Sequence, residues 1–243
     1  MKAKKSVSMK AVVVLMALVL LIGCGVGGTL AWLMDHTDTI TNTFTVGDIN
    51  IKLYEHELDA NGEFKTTETK TINTYKILPG TSEKKDPTVE VLKNSEDCYV
   101  FVQVQEVNNV AAEDASGNVT HKYVTWAIDD AVWTKLNENA DGTITTYYLT
   151  SSYTLTDADA TFNVLKDKKV SYGDSLTKEM IEMIYETEEE NGQTVIKVGE
   201  IDPNKQPKLI FKAFAVQKEA ANTAEDAWNE VPAAERLGAT TTP

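Results

Sequence analysis

Residues 98–107 read CYVFVQVQEV and contain the clearest secondary-structure signal in the chain. Side chains alternate between two faces, Val100, Val102 and Val104 on one and Tyr99, Phe101 and Gln103 on the other. A period of two indicates a β-strand, and apolar residues on both faces indicate a strand in the middle of a packed sheet. We therefore expect a central strand with one wetter end. In this setting Cys98 is expected to be a small buried hydrophobe.

Short runs of the same kind recur at residues 88–92, 126–128, 132–136, 144–149, 195–198 and 209–216. The turn sequences ANGE, SGNV, ADGT and ENGQ separate them, and Asn-Gly and Asp-Gly pairs readily adopt the positive φ of tight hairpins. Two segments have helical character: an apolar stripe at Leu176, Met180, Ile181 and Ile184, and a stretch from the N-cap candidate Thr223 to Pro232. The chain is therefore predicted to be all-β, a jelly-roll-like antiparallel β-sandwich with one or two short accessory helices.

The charge of the chain limits its partners. Its 243 residues include 23 basic and 37 acidic side chains, which give a net charge of −14. Binding to a phosphate backbone requires clustered Lys and Arg that displace counterions. We therefore do not expect nucleic acid or an anionic membrane surface as a partner.

The first 31 residues are typical of an export signal. Four lysines and no acid lie before an unbroken apolar run at residues 11–22. The 24 uncharged residues between Lys10 and Asp35 are long enough for a permanent membrane helix, the alternative interpretation, but four glycines at residues 23–28 disfavour a continuous helix. We place cleavage between Ala31 and Trp32, which changes the net charge from −14 to −18 because four lysines are lost.

Cys24 has two interpretations. The sequence LIGC at residues 21–24 resembles a lipobox, in which a signal peptidase cuts before the cysteine and the thiol carries diacylglycerol. Alternatively, Cys24 is one small residue of a glycine-rich signal and is removed with it. After cleavage at Ala31 only Cys98 remains, so an intrachain disulfide is excluded.

The segment EHELDANGEFKTTE, residues 55–68, imitates a calcium-binding loop. Its candidate ligands are Glu57, Asp59, Asn61 and Glu68, with glycine at the sixth position of the loop. Glutamate at the first position, lysine at the ninth and strand-like flanks oppose calcium, and the simpler alternative is a β-hairpin turn at DANG. No other cofactor is expected. The acidic run at residues 186–190 is interpreted as a solvated hairpin or helix end.

No motif in the sequence indicates catalysis. The three histidines, His36, His56 and His121, do not form the HExxH pattern of zinc proteases, and His56 and His121 are expected in polar, turn-like surface positions. A GxSxG nucleophile motif and a glycine-rich phosphate loop are also missing from the sequence. We therefore predict a protein that is not an enzyme.

Three stretches resemble the TasA/camelysin family, exported proteins of Gram-positive bacteria whose signals are cut by a SipW-type signal peptidase. They are GGTLAWLMDHTDTITNTFTVGDINIKLYE (residues 27–55), ILPGTSEKKDPTVEVLKNSEDCYVFVQV (residues 77–104) and FKAFAVQKEAANTAEDAWNE (residues 211–230). The resemblance covers the start, the first third and the last part of the chain. It does not extend to residues 108–190.

The resemblance implies a secreted protein of the extracellular matrix or cell surface that forms biofilm fibres as a head-to-tail homopolymer. It divides the chain into a signal peptide (1–31), an extended donor segment (32–43), a sandwich domain (44–237) and a polar tail (238–243). The donor-strand candidates are Trp32, Leu33, Ile40 and Phe44, which would pair with an open sheet edge of the next subunit. Accessory anchoring or matrix proteins are possible further partners.

Two alternatives remain open at this point. The donor segment could instead fray or fold back as an edge strand of its own subunit. The protein could also be a membrane-tethered lipoprotein or monomeric binding module that is anchored through Cys24.

Overall fold

The computed structural model describes residues 34–36, 49–70, 77–190 and 193–239, and for residues 34–36, 68 and 198–199 it describes the backbone only. In chain order the strands are β1 (Met34–His36), β2 (Ile51–Leu58), β3 (Phe64–Lys70), β4 (Ser82–Lys84), β5 (Thr88–Val91), β6 (Cys98–Val107), β7 (Ala112–Glu113), β8 (Val119–His121), β9 (Val124–Thr125), β10 (Trp133–Glu138), β11 (Ile144–Leu149), β12 (Ala160–Asn163), β13 (Lys169–Tyr172), β14 (Tyr185–Glu190), β15 (Gln193–Ile201) and β16 (Lys208–Gln217). The described residues also contain two α-helices, α1 (Lys178–Glu182) and α2 (Ala224–Glu230). Among these residues no helix has the length and apolar character needed to cross a membrane.

Two antiparallel sheets form the body of the molecule. Sheet A has the strand order β1, β16, β6, β11, β10, and sheet B has the order β12, β5, β2, β3. The chain crosses from sheet B to sheet A between β5 and β6 and returns between β11 and β12. Smaller sheets are formed by β4, β13 and β9, by β7 with β8, and by β14 with β15. The predicted all-β antiparallel sandwich with few short helices is confirmed.

The valine face of β6 lies against sheet B, as its alternation predicts. Val100, Val102 and Val104 are buried in one cluster with Val89 and Val91 of β5. Each such side chain contributes about 1.5–3 kcal/mol when it is fully removed from water. The last residues of β6 are only half-buried, so the wetter end is also confirmed.

The opposite face of sheet A is covered by the C-terminal segment. Thr223 caps α2 by accepting the Asp226 backbone N–H at 3.1 Å, as predicted, and the helix ends before Pro232. Trp228 packs on Phe101 and Phe214, with ring centroids 5.2 and 5.3 Å away. The outer face of the sheet is therefore also buried around Phe101, Phe214 and Val216.

Arg236 stabilises the C-terminal segment that covers sheet A. Its guanidinium lies 4.6 Å from the Trp228 ring centroid and donates to the carbonyls of Trp228 and Val231, each at 2.7 Å. One residue further, the Leu237 backbone N–H donates to the buried Gln103 side chain at 2.7 Å. Gln103, on the outer face of β6, thus binds the C-terminal segment to sheet A.

The hairpin turns follow the predicted Asn-Gly and Asp-Gly signals. In the β2–β3 turn Gly62 has φ +77°, and in the β10–β11 turn Gly142 has φ +73°. Inside each turn a side-chain oxygen accepts backbone N–H groups: Asp59 accepts from Asn61 and Glu63, and Asn139 accepts from Ile144. Local turn chemistry therefore fixes both hairpins.

Two sequence predictions need correction. Residues 126–128 do not form the predicted strand, because β9 ends at Thr125 and only Ile128 makes an isolated bridge, to Leu165. The apolar stripe of residues 176–184 contains only the five-residue helix α1, since the chain becomes β14 at Tyr185. The stripe still packs as expected, in a small cluster around Tyr123.

Candidate functional site

The first described strand lies at an edge of sheet A. β1 pairs antiparallel with β16 through three residue pairs, Met34 with Val216, Asp35 with Ala215 and His36 with Phe214. On its other side β16 pairs with β6 along ten residues. Residues 34–36 therefore fill an edge position beside a strand that is itself paired along its full length on the other side.

The part of β16 that receives β1 is buried on both faces. Ala213 and Ala215 belong to the core between the sheets, while Phe214 and Val216 contact the Trp228 cluster. None of these four side chains is more than 1% exposed. An added strand gains main-chain hydrogen bonds at such an edge, and the apolar layers above and below favour one register.

β1 is not joined to its sheet neighbour by a turn. β10 and β11 are joined by a tight turn, whereas β1 and β16 come from opposite ends of the chain. Closing a long loop costs more entropy than closing a hairpin. Strand β1 is therefore held by its pairing and not by a local turn, and a β1 from a second copy offers β16 the same backbone and sequence.

Several predicted site residues lie outside the described part of the chain. They are Cys24, the cleavage pair Ala31 and Trp32, and the donor candidates Leu33, Ile40 and Phe44. The three described residues of the donor segment, 34–36, lie at the edge of their own sheet. This is the arrangement of the alternative in which the segment folds back on its own subunit.

The candidate calcium ligands lie on the β2–β3 hairpin, so the hairpin interpretation of DANG is confirmed. Glu57 forms ion pairs with Lys70 at 2.9 Å and Lys65 at 3.2 Å, and these contacts, that with Lys70 first, hold its pKa below the ordinary value. Asp59 accepts the backbone N–H groups of Asn61 and Glu63 at 2.8 and 2.9 Å.

The Asp59 hydrogen bonds, led by that from the Glu63 N–H, lower the pKa of its carboxyl. Asn61 reaches back to the same carboxylate through its side-chain amide, and the Glu68 side chain lies outside the described part. Within the described ranges no three His, Cys, Asp or Glu side chains are grouped to hold a metal. Calcium binding stays a prediction.

Charged residues that sequence reasoning missed link β2 to the segment before β5. The Lys85 ammonium contacts the Glu55 carboxylate at 2.5 Å, and both residues are nearly buried. Glu55 lies on the same side of β2 as Ile51, so a glutamate in register with apolar residues was the available signal. Removing one partner of such a pair is strongly destabilising because a buried charge is left uncompensated.

Beside this pair, His56 differs from its predicted turn position. It lies within β2, and its Nδ1 is 2.7 Å from the carboxylate of Asp86, which is 1% exposed. The same carboxylate accepts the His56 backbone N–H at 2.9 Å. His121 lies at the end of β8 with Nδ1 3.1 Å from the Thr120 hydroxyl, and of His36 only the backbone is described.

Cys98 is buried, as its place in β6 predicts. Burial, and secondarily the charge of Asp97, raises the pKa of its thiol to about 12. The thiolate, which is the reactive form, is therefore scarce at neutral pH. The acidic run at residues 186–190 forms β14 of the hairpin with β15, so the hairpin interpretation of that run is confirmed as well.

No family model, no curated protein and no solved structure matches this chain.

Proposed function

We propose that this protein is an exported structural subunit that forms extracellular fibres by exchanging its N-terminal strand. In the fibre, residues 32–43 of one copy leave their own sheet and pair with β16 of the next copy. The observation that carries the proposal is the edge pairing of β1 with β16, at a position where both faces of β16 are buried.

The geometry of the exchange favours a filament. The donor segment and the acceptor edge are different surfaces of the same chain, so each copy can receive one strand and give one. Such a head-to-tail arrangement produces an open chain of subunits unless its rotation closes a ring. The backbone hydrogen bonds that β1 makes inside one copy form again between copies, so exchange conserves their number.

The export signal supports an extracellular place for this assembly. Residues 1–31 have the charged start and apolar run of a secreted protein, and a SipW-type signal peptidase is the expected processing partner. The net charge of −18 after cleavage makes subunits repel one another at low salt. Fibre growth should therefore accelerate with ionic strength, and accessory matrix proteins are expected where anchoring is needed.

Cysteine crosslinking tests the proposal directly. Asp35→Cys and Ala215→Cys, in a Cys98→Ala background, place two thiols at directly opposite positions of β1 and β16. Opposite residues of antiparallel strands have the Cα separation that a disulfide needs. When oxidised fibres are denatured without reductant, they should separate into a ladder of covalent dimers, trimers and longer species. Unassembled protein should contain only internal disulfides.

A second cysteine pair is the matched control. Asp35→Cys with Thr134→Cys, in the same background, places the second thiol on β10 at the other edge of sheet A. This pair should give no ladder. Fibres that hold only internal Asp35–Ala215 links, or a ladder from the Thr134 pair, would refute strand exchange at β16.

The second candidate function is a lipoprotein or monomeric binding module anchored through Cys24, and two observations favour it. LIGC resembles a lipobox, and β1 lies on its own subunit in the single chain. Cys24→Ser should release this form from the membrane and should leave the fibre form unchanged. The intact mass of the native protein separates them, since diacylation adds mass at Cys24 and the fibre form begins at Trp32.

A further inference from the structure

A cleft of about 550 Å³ lies against the inner face of sheet A. Its floor includes Glu106, Thr145 and Tyr147, and it is bordered by the segment around Trp126 that follows β9. Thr145 pairs with Val104 and Tyr147 with Val102, so the floor continues the valine face of β6. The volume falls in the usual range of small-molecule sites.

Trp126 is held in a fixed position in this cleft. Its indole N–H donates to Glu106 Oε1 at 2.9 Å, and its ring lies nearly perpendicular to that of Tyr147, 6.4 Å between centroids. The other oxygen of Glu106 accepts from Lys122 at 2.7 Å and Asn109 at 2.8 Å. Trp126 is only partly buried. A pre-positioned aromatic side chain reduces the entropy that a ligand must overcome on binding.

The charges around the cleft are balanced. The charged side chains that line it form three ion pairs: Lys122 with Glu106 at 2.7 Å, Lys135 with Glu138 at 2.9 Å and Lys166 with Asp130 at 3.3 Å. The Lys135–Glu138 and Lys166–Asp130 pairs are well exposed, so solvent weakens the attraction within each pair. Their charged groups can therefore also form hydrogen bonds to a ligand. The hydrogen bond between Lys135 and Glu138 raises the pKa of the lysine and lowers that of the glutamate, which keeps both charged at neutral pH.

These features select a class of ligand. Equal numbers of ammonium and carboxylate groups give no preference for an anion or a cation, although the whole chain has a charge of −14. Neighbouring hydrogen-bond donors and acceptors suit a neutral molecule whose polar groups can both donate and accept. A hydroxyl group does so, since it has one O–H donor and two acceptor lone pairs. The partly exposed ring of Trp126 beside them supplies an apolar surface with a polar edge.

We propose that this cleft binds a neutral carbohydrate, with a sugar ring against Trp126 and hydroxyl groups bonded to the Lys135–Glu138 pair. β10 and β11 lie at the edge of sheet A opposite β1. The binding site is therefore independent of the β16 edge, and it does not depend on fibre formation.

The test uses the indole N–H signal of Trp126 in heteronuclear NMR spectra of the purified protein, assigned with Trp126→Phe. Maltotetraose, cellotetraose and chitotetraose are the neutral probes, and tetragalacturonic acid and triglycine are the anionic and peptide comparators. At least one neutral sugar should shift the Trp126 signal with a Kd of about 1 mM or tighter.

Two lysine variants provide a matched pair. Lys135 lines the cleft and pairs with Glu138, whereas Lys169 pairs with Asp167 away from it, and their side chains are 52% and 50% exposed. Lys135→Ala should raise the Kd about tenfold, a loss typical of a bond to a charged group. Lys169→Ala should leave the Kd unchanged, and Trp126→Ala should abolish binding in a protein whose circular dichroism is unaltered.

Three results would overturn the proposal. The first is a Trp126 signal that no neutral sugar moves at about 10 mM, ten times the expected Kd. The second is binding that Lys135→Ala and Lys169→Ala weaken equally. The third is tighter binding of tetragalacturonic acid or triglycine than of any neutral sugar, which would assign the cleft to an anion or a peptide.

Discussion

The two edges of sheet A are built in opposite ways. At one edge β10 is joined to β11 by a tight turn, contains a bulge between Lys135 and Asn137, and exposes charged side chains. At the other edge the last residues of β16 are regular and apolar on both faces, and a three-residue strand from the far end of the chain covers them. Bulges and charges keep foreign strands away, whereas a regular apolar edge accepts them.

Under the proposed strand exchange, this difference favours the β16 edge for assembly. The outermost strand at the other edge, β10, has a bulge, so it presents irregular backbone to an incoming strand. The β16 edge is covered by a segment that no local turn retains, and an identical segment from another copy could make the same backbone pairs. Changes at the two edges should therefore have different consequences.

Deletion of residues 32–43 should have the largest effect, because it removes the donor from every copy. Fibres should disappear from electron micrographs, while the far-ultraviolet circular dichroism of a β-protein should remain. A matched truncation of residues 240–243, at the other end of the chain, should leave the fibres intact. Fibres that persist after the first deletion would show that β1 is not the donor.

Trp228→Ala should be the most destabilising of the point changes, since it removes the outer layer over β16. Replacing a buried tryptophan with alanine costs about 3–5 kcal/mol. Urea denaturation should show this loss, and assembly should weaken with it because Phe214 loses its ring partner. Trp228→Phe, which retains a ring, should lose less than half as much. Equal losses for the two variants would contradict the packing role of the ring.

Cys98 reports on the strand one step inside the acceptor edge, where it pairs with Gln217. With a pKa of about 12, its reaction with iodoacetamide at pH 8 should be slower than in the unfolded chain by on the order of 10³-fold. The protein without residues 32–43 should be equally slow, because only β1 leaves. Rapid labelling of that variant would mean that β16 detaches as well.

Acid should have the smallest effect, and it should act on the β10 edge. Hydrogen bonds from Thr143, first from its side chain and then its backbone N–H, hold the pKa of Asp141 below its ordinary value. Such a lowered carboxyl adds stability above the ordinary pKa, about 3.9, and the contribution is lost as pH falls through the folded pKa.

The protection of the β10–β11 hairpin amides, taken as each exchange rate relative to the intrinsic rate at the same pH, should therefore decrease on acidification, and Asp141→Asn should reduce that pH dependence. Asp157→Asn, an exposed position outside the hairpin turns, serves as the control. If Asp141→Asn shows the same pH dependence as the unchanged protein, the Asp141 carboxylate is not its cause.

Much of the fold was predictable because its signals are local. The strand predicted at residues 144–149 coincides with β11, and Thr223 caps α2 as expected. Each of these features depends on neighbouring residues: alternation, an Asp-Gly turn or a capping hydroxyl.

The remaining features depend on residues far apart in the sequence. Trp126 belongs to no strand, and its indole N–H bonds Glu106, twenty residues earlier, a contact that no local pattern indicates. The Lys85–Glu55 pair spans thirty residues, and the pairing of β1 with β16 spans nearly the whole chain. Residues 32–43 were predicted to be a donor segment from the resemblance alone, and the register of residues 34–36 on β16 required the structure.

The order of strands in sheet A also has a kinetic consequence. β16 lies between β1 and β6, so the earliest and latest described strands of a chain that emerges N-terminus first become neighbours only after β16 has emerged. Until then, the long edge of β6 that pairs with β16, and its outer apolar residue Phe101, have no cover. Because contacts between such distant segments form slowly, this protein should have a pronounced lag before its native sheet appears. During that interval the unpaired edge of β6 is exposed to other chains, and the appearance of β16 sets the earliest time at which sheet A can be completed.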